Sequence, residues 1–166
     1  MAKDPSFDIV SEVDLQAIDD AINVAMKDVN NRFDLKNTDS KIEFNRQNKK
    51  VIISAPSEFQ LNQVKDILKQ KMAKRGISPK SILAKNIEKA SGDSVRETND
   101  IVCGIPQDLA KNIIKDIKGL KIKKLTASIQ EDKIRVTAKN RDDLQTVIAF
   151  LKEKQLSIPL QFTNYR

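Results

Sequence analysis

The most informative absence is histidine, which this chain of 166 residues lacks entirely. Histidine is the commonest general base and the commonest zinc ligand, and serine–histidine and cysteine–histidine catalytic arrangements need it. The four glycines are widely separated, so they form neither a Walker phosphate loop nor a Gly-x-Gly-x-x-Gly turn. These absences exclude most familiar enzyme chemistries. We therefore expect a protein that is not an enzyme and that uses neither a metal nor a cofactor.

Further absences bear on where the protein works. The single cysteine excludes an internal disulfide. No apolar run approaches the ~20 residues that a membrane-spanning helix needs, and the first residues contain no apolar signal region. We expect a soluble cytoplasmic protein without a membrane partner. Aromatic residues make up only 4% of the chain and tryptophan is missing, which leaves few rings on which bases could stack.

The chain does contain a repeated strand–helix unit. Residues 133–147 align without a gap with residues 50–64, and both copies change from a period of two to a helical period. Each joint carries a helix-start signal, because Ser57 precedes Gln60 by three residues and Asn140 precedes Asp143 by three. A duplication of this kind indicates two modules of the same fold.

Hydrophobic periodicity predicts the element order β-α-β-β-α-β twice. The first helix has apolar residues at helical spacing, at Leu15, Ile18, Ile22, Ala25, Val29 and Phe33. Two hairpins are predicted, one from residues 41–45 and 50–54, the other from residues 125–129 and 133–137. This is the α+β pattern of ferredoxin-like (RNP-like) folds, with two helices covering one face of a four-stranded antiparallel sheet.

The turn signal at Ser91-Gly-Asp93 predicts that the extended segments on either side of it pair with each other. The first sheet is then complete without the N-terminal strand, which must join the second sheet. We therefore expect tandem modules with exchanged N-terminal strands. The first module comprises residues 13–103, and the second, which is discontinuous, comprises residues 1–12 plus 104–166.

Several blocks carry a resemblance to a known family: Ser6-Phe-Asp-Ile-Val-Ser-Glu-Val-Asp14, Arg32-Phe-Asp-Leu-Lys36, Lys74-Arg-Gly-Ile77, Ile134-Arg-Val-Thr-Ala-Lys-Asn-Arg-Asp-Asp-Leu-Gln145 and Phe162-Thr-Asn-Tyr-Arg166. Together they resemble the bacterial YajQ family. The resemblance implies a small cytosolic protein whose two modules exchange N-terminal strands and which binds a nucleotide or nucleic acid. It also implies the absence of enzymatic activity, and some relatives are receptors for cyclic di-GMP. A regulatory protein partner is implied in the same way.

Strand alternation predicts a polar, basic face on the second hairpin. With the apolar residues of this hairpin turned toward the helices, the opposite face carries Thr126, Ser128, Gln130, Lys133, Arg135, Thr137 and, beyond the strand, Lys139. Such a face suits phosphate oxygens and base edges. The alternative is that these residues are polar only because that face of the sheet meets water.

Other candidate nucleotide-binding cations lie at helix ends: Arg32, Lys74, Arg75, Lys139 and Arg141. Arg141 is of most interest, because a helix N-terminus favours an anion and an arginine fork matches a phosphate or a guanine edge. In the alternative, Arg141 pairs with Asp142, Asp143 or a neighbouring strand. Lys74 and Arg75 have an equally simple explanation as cations that complement a helix dipole.

A third basic feature is the run of lysines on the third helix and just after it, at Lys111, Lys115, Lys118, Lys121, Lys123 and Lys124. These lysines either follow a nucleic-acid backbone or form the solvated face of an amphipathic helix. Sequence-specific RNA binding by stacking is not expected, because the central strands offer Phe44 alone and its register points into the core.

These patterns, with the net charge of +7, favour a non-enzymatic protein that binds a guanine nucleotide such as cyclic di-GMP through arginine and lysine. Ligand occupancy would then change how the modules sit and alter a surface seen by a protein partner. The alternative is an electrostatic RNA- or DNA-binding module. A third reading is an interaction protein without a nucleotide ligand.

Overall fold

The computed structural model describes residues 3–90 and 92–166. Its helices are α1 (Leu15–Asn31), α2 (Glu58–Lys74), α3 (Gln107–Lys118) and α4 (Arg141–Glu153). Its strands are β1 (Ser6–Val10), β2 (Lys41–Asn45), β3 (Lys50–Ala55), β4 (Ile82–Lys89), β5 (Val95–Ile101), β6 (Thr126–Gln130), β7 (Lys133–Thr137) and β8 (Gln161–Thr163). A short 3-10 turn, Pro79–Ser81, leads into β4.

The strands form two four-stranded antiparallel sheets, in the orders β2-β3-β5-β4 and β6-β7-β1-β8. The N-terminal strand lies inside the second sheet, between β7 and β8, so the α+β fold with an exchanged first strand is confirmed. The segments around the predicted turn pair as β4 and β5, although Ser91 of that turn lies outside the described residues. The first compact unit is Val13–Val102, and the second joins the N-terminal segment as far as Glu12 to Cys103–Arg166.

The first module, Val13–Val102, packs α1 and α2 against its sheet. Asp14 and Ser57 accept hydrogen bonds from first-turn N–H groups of α1 and α2, which fixes where the two helices begin. The core includes Ile18, Ile22, Val51, Ile53, Leu61, Val64, Leu68 and Met72, each 4% exposed or less. The prediction that Phe33 lies on the buried face of α1 is wrong. The helix ends at Asn31, and Phe33 is 90% exposed.

The second module is built around the register between β1 and β7. Phe7 lies opposite Val136 and Ile9 lies opposite Ile134, and all four side chains are fully buried. Helix α4 begins after Asn140, whose side chain accepts a 2.9 Å hydrogen bond from the Asp143 N–H, and it buries Leu144, Val147, Ile148 and Leu151. Strand β7 therefore turns its apolar face toward the core of this module, as alternation predicts.

Gly104 stands where the chain re-enters the second module, and only glycine fits there. Its φ of +83° lies in the left-handed region, and an added Cβ would come within 2.7 Å of the Asp132 carboxylate. Its N–H donates to the Ser11 carbonyl at 2.7 Å, and the Ile105 N–H donates to the Asp132 carbonyl at 3.0 Å. The returning chain is thereby tied both to the segment after β1 and to the β6–β7 turn.

Candidate functional site

The predicted polar face of β7 is present. Ile134 and Val136 are fully buried, whereas Lys133, Arg135 and Thr137 are half-buried on the other face of the strand. On the neighbouring β6, Thr126, Ser128 and Gln130 are exposed. Four predicted site residues, Lys133, Arg135, Lys139 and Arg141, thus follow one another along β7 and into the start of α4.

The cations of this face are paired with carboxylates of the N-terminal segment. Lys139 Nζ lies 3.5 Å from Asp4, Arg135 Nε lies 3.0 Å from Asp8, and Lys133 Nζ lies 3.9 Å from Glu12. The three acidic residues recur every four positions, and β1 runs antiparallel to β7, so each reaches a different cation. Sequence reasoning missed this ladder because it considered β7 without the strand that pairs with it.

Asp8 is the buried centre of the ladder, with a side chain only 8% exposed. Arg135 Nε donates to one carboxylate oxygen at 3.0 Å, and Asn164 Nδ2 donates to the other at 2.8 Å. Burial by itself would raise the pKa of Asp8, but these hydrogen bonds and the charges of Arg135 and Lys133 outweigh it and hold the pKa below its usual value. The same hydrogen bond raises the pKa of Arg135. Arg135 therefore stays charged, but the Asp8 carboxylate offsets most of its attraction for another anion.

Arg141 differs from the cations of β7. It is the first residue of α4 and is exposed, and within the part of the chain that the structure describes it makes no ion pair. The alternative pairing with Asp142 or Asp143 is not seen there. A helix start also presents free N–H groups, of which Asn140 takes the one at Asp143. The two acidic residues of the first turn limit how much further negative charge this end of the helix attracts.

A pocket of about 250 Å³ opens beside Arg141. Its lining combines the start of β1, the first turn of α4 and the end of the chain: Ser6, Arg141, Leu144, Gln145, Tyr165 and Arg166. The backbones of Ser6 and Arg166 are joined by two hydrogen bonds, of 2.9 and 3.3 Å, which fix the C-terminal residues beside β1. Two arginines and a tyrosine thus border one cavity.

Tyr165 offers a flat surface at this pocket. Its ring stacks on buried Phe7, with centroids 6.0 Å apart and planes inclined by 28°, yet it remains 59% exposed. Sequence reasoning assigned no role to Tyr165 or Arg166, because the C-terminal block served only for the resemblance. An aromatic residue next to an arginine after the last predicted strand was the available signal, but its position beside α4 depends on the exchanged strand.

The remaining predicted residues, Arg32, Lys74 and Arg75, belong to the first module and are not brought together. Arg32 pairs with Asp34 at 3.2 Å, and Asp34 also accepts from Gln63 of α2 at 3.1 Å. Arg75 lies at the other end of α2, 4.0 Å from Asp20, which is near the start of α1. Lys74 is exposed at the last position of α2. The structure therefore gathers the candidate cations of the second module only.

The described residues, 3–90 and 92–166, show neither a metal site nor a membrane-spanning helix. They contain no group of three or more histidine, cysteine, aspartate or glutamate side chains placed to hold a metal ion. They also contain no helix with the length and apolar character that would allow it to cross a membrane.

Comparison with known proteins shows a family model and several relatives that match the chain over nearly its full length. Residues 5–166 match the family model described as nucleotide-binding protein YajQ-like. The chain is 48% identical over 166 residues to a protein of Desulfitobacterium hafniense (strain DSM 10664 / DCB-2), with full coverage of both chains. It is 49% identical over 166 residues to one of Heliobacterium modesticaldum (strain ATCC 51547 / Ice1), covering all of this chain and 99% of the relative.

A third relative, from Chloroherpeton thalassium (strain ATCC 35110 / GB-78), is 46% identical over 161 residues, which cover 97% of each chain. All three relatives bear the name nucleotide-binding protein. The match spans both modules and the exchanged strand. The chain therefore belongs to the YajQ-like family of nucleotide-binding proteins.

Proposed function

We propose that this protein binds a guanine nucleotide, such as cyclic di-GMP, in the pocket at the start of α4, and that it performs no chemistry on it. The observation that carries the proposal is the position of Arg141. It borders a pocket with Arg166 and Tyr165, and it lacks a carboxylate partner within the described residues, whereas the three β7-side cations each have one. The relatives' printed name supports nucleotide as the ligand class.

The chemistry of the pocket suits a base and a phosphate together. An arginine fork donates two parallel hydrogen bonds, which match either phosphate oxygens or the O6 and N7 acceptors of guanine. The exposed ring of Tyr165 provides a stacking surface for the base. With two arginines, one can hold the base edge while the other holds the phosphate.

The size of the pocket limits what it encloses. Its volume of about 250 Å³ is just below the ~300 Å³ at which sites for drug-sized ligands begin. One nucleotide half of a cyclic dinucleotide would therefore sit inside, while the other half would remain outside the pocket. A non-enzymatic role is supported by the absence of histidine from the sequence.

The alternative function, electrostatic binding of RNA or DNA along β7, has less support. Its three cations are already paired with carboxylates: Lys133 with Glu12, Arg135 with Asp8, and Lys139 with Asp4. A polyanion would have to displace these carboxylates, one of which is buried. Affinity for β7 that rises with oligonucleotide length and falls steeply with salt would restore this alternative.

The proposal is tested by calorimetric titration of the full chain with GTP, cyclic di-GMP and a short single-stranded RNA, at low and high salt. We expect saturable guanine-nucleotide binding that survives high salt. Because a hydrogen bond to a charged group contributes about 1.5–3 kcal/mol, Arg141→Ala should weaken binding about ten- to a hundredfold. Lys152→Ala, which removes an exposed cation from the last turn of the same helix, is the matched control.

Equal affinity of the Arg141→Ala variant and the wild type would refute this site. Binding of RNA alone, abolished by salt, would favour the alternative function. Silence for all three ligands would leave the third reading, an interaction protein without a nucleotide ligand.

We also infer that the ligand acts in regulation by changing how the modules sit. The support is that Ser6 lines the pocket and begins β1, the strand from which the chain passes into the first module. Spin labels at Lys80→Cys and Lys124→Cys, in a Cys103→Ser background, would report the inter-module distance. A saturating nucleotide should shift that distance, and an unchanged distance distribution would refute the regulatory step while leaving binding intact.

A further inference from the structure

Two phenylalanines of the first module lie on its surface instead of in its core. Phe33 is 90% exposed and Phe59 is 73% exposed, which are the two largest values among the exposed large hydrophobic residues of the described chain. Phenylalanine is one of the residues most often buried, and the chain contains only six. The packing of the module itself gives no reason for two of them to face solvent.

The two phenylalanines belong to one surface. The Gln63 side chain donates a 3.1 Å hydrogen bond to the Asp34 carboxylate, which ties the segment after α1 to α2. Phe33 directly precedes Asp34 in that segment. Phe59 lies one helical turn before Gln63, on the same face of α2. The hydrogen bond therefore holds Phe33 and Phe59 on neighbouring parts of the same surface.

Phe33 is held outward by an ordered turn. The Leu35 and Lys36 N–H groups both donate to the Arg32 carbonyl, at 3.2 and 2.8 Å. Leu35 is 1% exposed and belongs to the core of the module. Backbone hydrogen bonds and one buried side chain thus fix this turn, so the exposure of Phe33 is a feature of the folded state.

A cation lies beside the rings. Lys36 Nζ is 5.5 Å from the centre of the Phe33 ring, and it forms no ion pair with any of residues 3–90 and 92–166. The neighbouring Arg32 pairs with Asp34 at 3.2 Å, so the charges of those two residues offset each other. The positive charge at this end of the surface is therefore that of Lys36.

A carboxylate lies at the other end. Asp66 follows Phe59 by seven residues, so both lie on one face of α2, ~10 Å apart along the helix axis. Asp66 is exposed and, within the described part of the chain, has no cation partner. We call Lys36, Phe33, Phe59 and Asp66 the phenylalanine surface. Its order is a cation, two aromatic rings and an anion.

We propose that the protein forms a two-fold symmetric dimer through the phenylalanine surface. A two-fold axis brings the same surface of both copies together, so that residue i of each copy meets residue j of the other. It places Lys36 of each copy against Asp66 of the other and buries the rings between these two ion pairs. Aromatic side chains are enriched in protein interfaces. An anionic lipid surface or a polyanion fits less well, because Asp66 repels it.

The first test is sedimentation velocity of the full chain over a range of protein concentrations. We expect a monomer–dimer equilibrium. Phe33→Ser and Phe59→Ser each remove an exposed ring and so leave the core intact, and each should raise the dimer dissociation constant about thirtyfold, as the loss of an interface hot spot does. Ile87→Ser removes an exposed hydrophobic side chain from β4 and is the matched control, with unchanged dimerisation expected.

The second test asks whether the partner is another copy of the chain. Lys36→Glu and Asp66→Lys each create two like-charge contacts in a symmetric dimer, so each alone should weaken dimerisation about tenfold. An equimolar mixture of the two variants should restore it, because one copy is then acidic and the other basic at both positions. The double variant should restore it as well. Lys85→Glu changes the charge of β4 by the same amount and should have no effect.

Three results would overturn the proposal. The first is a wild type that stays monomeric at every concentration, and the second is a dimer that both serine variants leave unchanged. The third is a mixture of the charge variants that dimerises no better than either one alone, since association through the rings without symmetry needs no charge pairing. Binding of the monomer to phosphatidylserine vesicles that Phe33→Ser abolishes would assign the surface to a membrane instead.

Discussion

The two modules have the same fold but differ at equivalent pockets. In the second module, the pocket at the start of α4 is lined by Arg141, Arg166 and Tyr165. In the first module, a pocket of about 410 Å³ lies at the start of α2, where Glu58 takes the position of Arg141, and Lys89 is the one cation among the described residues that line it. The duplication has thus kept the cavity and reversed the charge at the helix start. A pocket in this fold is therefore not in itself an anion site.

The two cores also differ at one equivalent position, where the first module buries a charged residue. The alignment of the two repeats, with the strand registers, puts Glu97 at the position of Phe7 and Lys65 at the position of Ile148. Lys65 Nζ lies 3.0 Å from Glu97 Oε1, and the Glu97 side chain is 3% exposed. That oxygen has this ionic contact but no hydrogen bond among the described residues. The first module therefore carries an ion pair where the second carries apolar packing.

The largest expected effect comes from breaking that buried pair. Lys65→Met leaves the Glu97 carboxylate buried without its counter-charge, which should lower the free energy of unfolding of the first module by about 3–5 kcal/mol. Adding Glu97→Leu should recover most of the loss, because an apolar pair makes the first module resemble the second. Urea denaturation of the full chain measures both variants. A double variant no more stable than Lys65→Met would show that the pair is not equivalent to the apolar contact.

A smaller effect is expected from the ladder, of which the first module has one cross-strand ion pair, between Lys50 and Asp100 at 2.8 Å, but not the central one. Ile52 and Thr98 occupy the positions of Arg135 and Asp8. Because the pKa of Asp8 is lowered in the folded state, its contribution to stability is complete above its usual value of about 3.8 and is lost as the pH falls through the folded value. Asp8→Asn should destabilise the protein by about 1–2 kcal/mol at neutral pH.

The Asp8→Asn variant also tests how the stability of the protein depends on pH. The wild type should lose this increment in acid, and the difference between wild type and Asp8→Asn should therefore shrink as the pH falls below about 4. Equilibrium unfolding at neutral and acidic pH measures that difference. A constant difference at every pH would mean that the charge of Asp8 contributes nothing. The control is Thr98→Ala in the first module, because threonine at the position equivalent to Asp8 does not titrate.

The sequence predicted those features that depend on neighbouring residues, and it missed those that depend on contacts between distant parts of the chain. Alternation along β7 and the caps at Ser57 and Asn140 are local patterns, so strands, helix starts and even the exchanged strand were predictable. The pairing of Asp8 with Arg135 joins residues 127 positions apart, and no periodicity reports it. The pocket brings Ser6, α4 and Tyr165 together through β1, so it too required the tertiary structure. Phe33 was mispredicted because helical spacing continues past the residue at which α1 ends.

The smallest expected effect is on anion binding, and it tests whether charge alone separates the two pockets. Glu58→Arg gives the first-module pocket the cation that the second has, beside the existing Lys89. An exposed ion pair contributes up to about 1 kcal/mol, so the pair of the introduced arginine with a phosphate oxygen should raise affinity for inorganic phosphate about fivefold at low salt. Phosphate titration followed by NMR amide shifts in the first turn of α2 measures it, with Glu58→Gln separating removal of the carboxylate from addition of the fork. If Glu58→Arg binds phosphate no better than Glu58→Gln, the charge at the helix start does not distinguish the modules, and the cavity at α4 would then owe its selectivity to Tyr165 and Arg166.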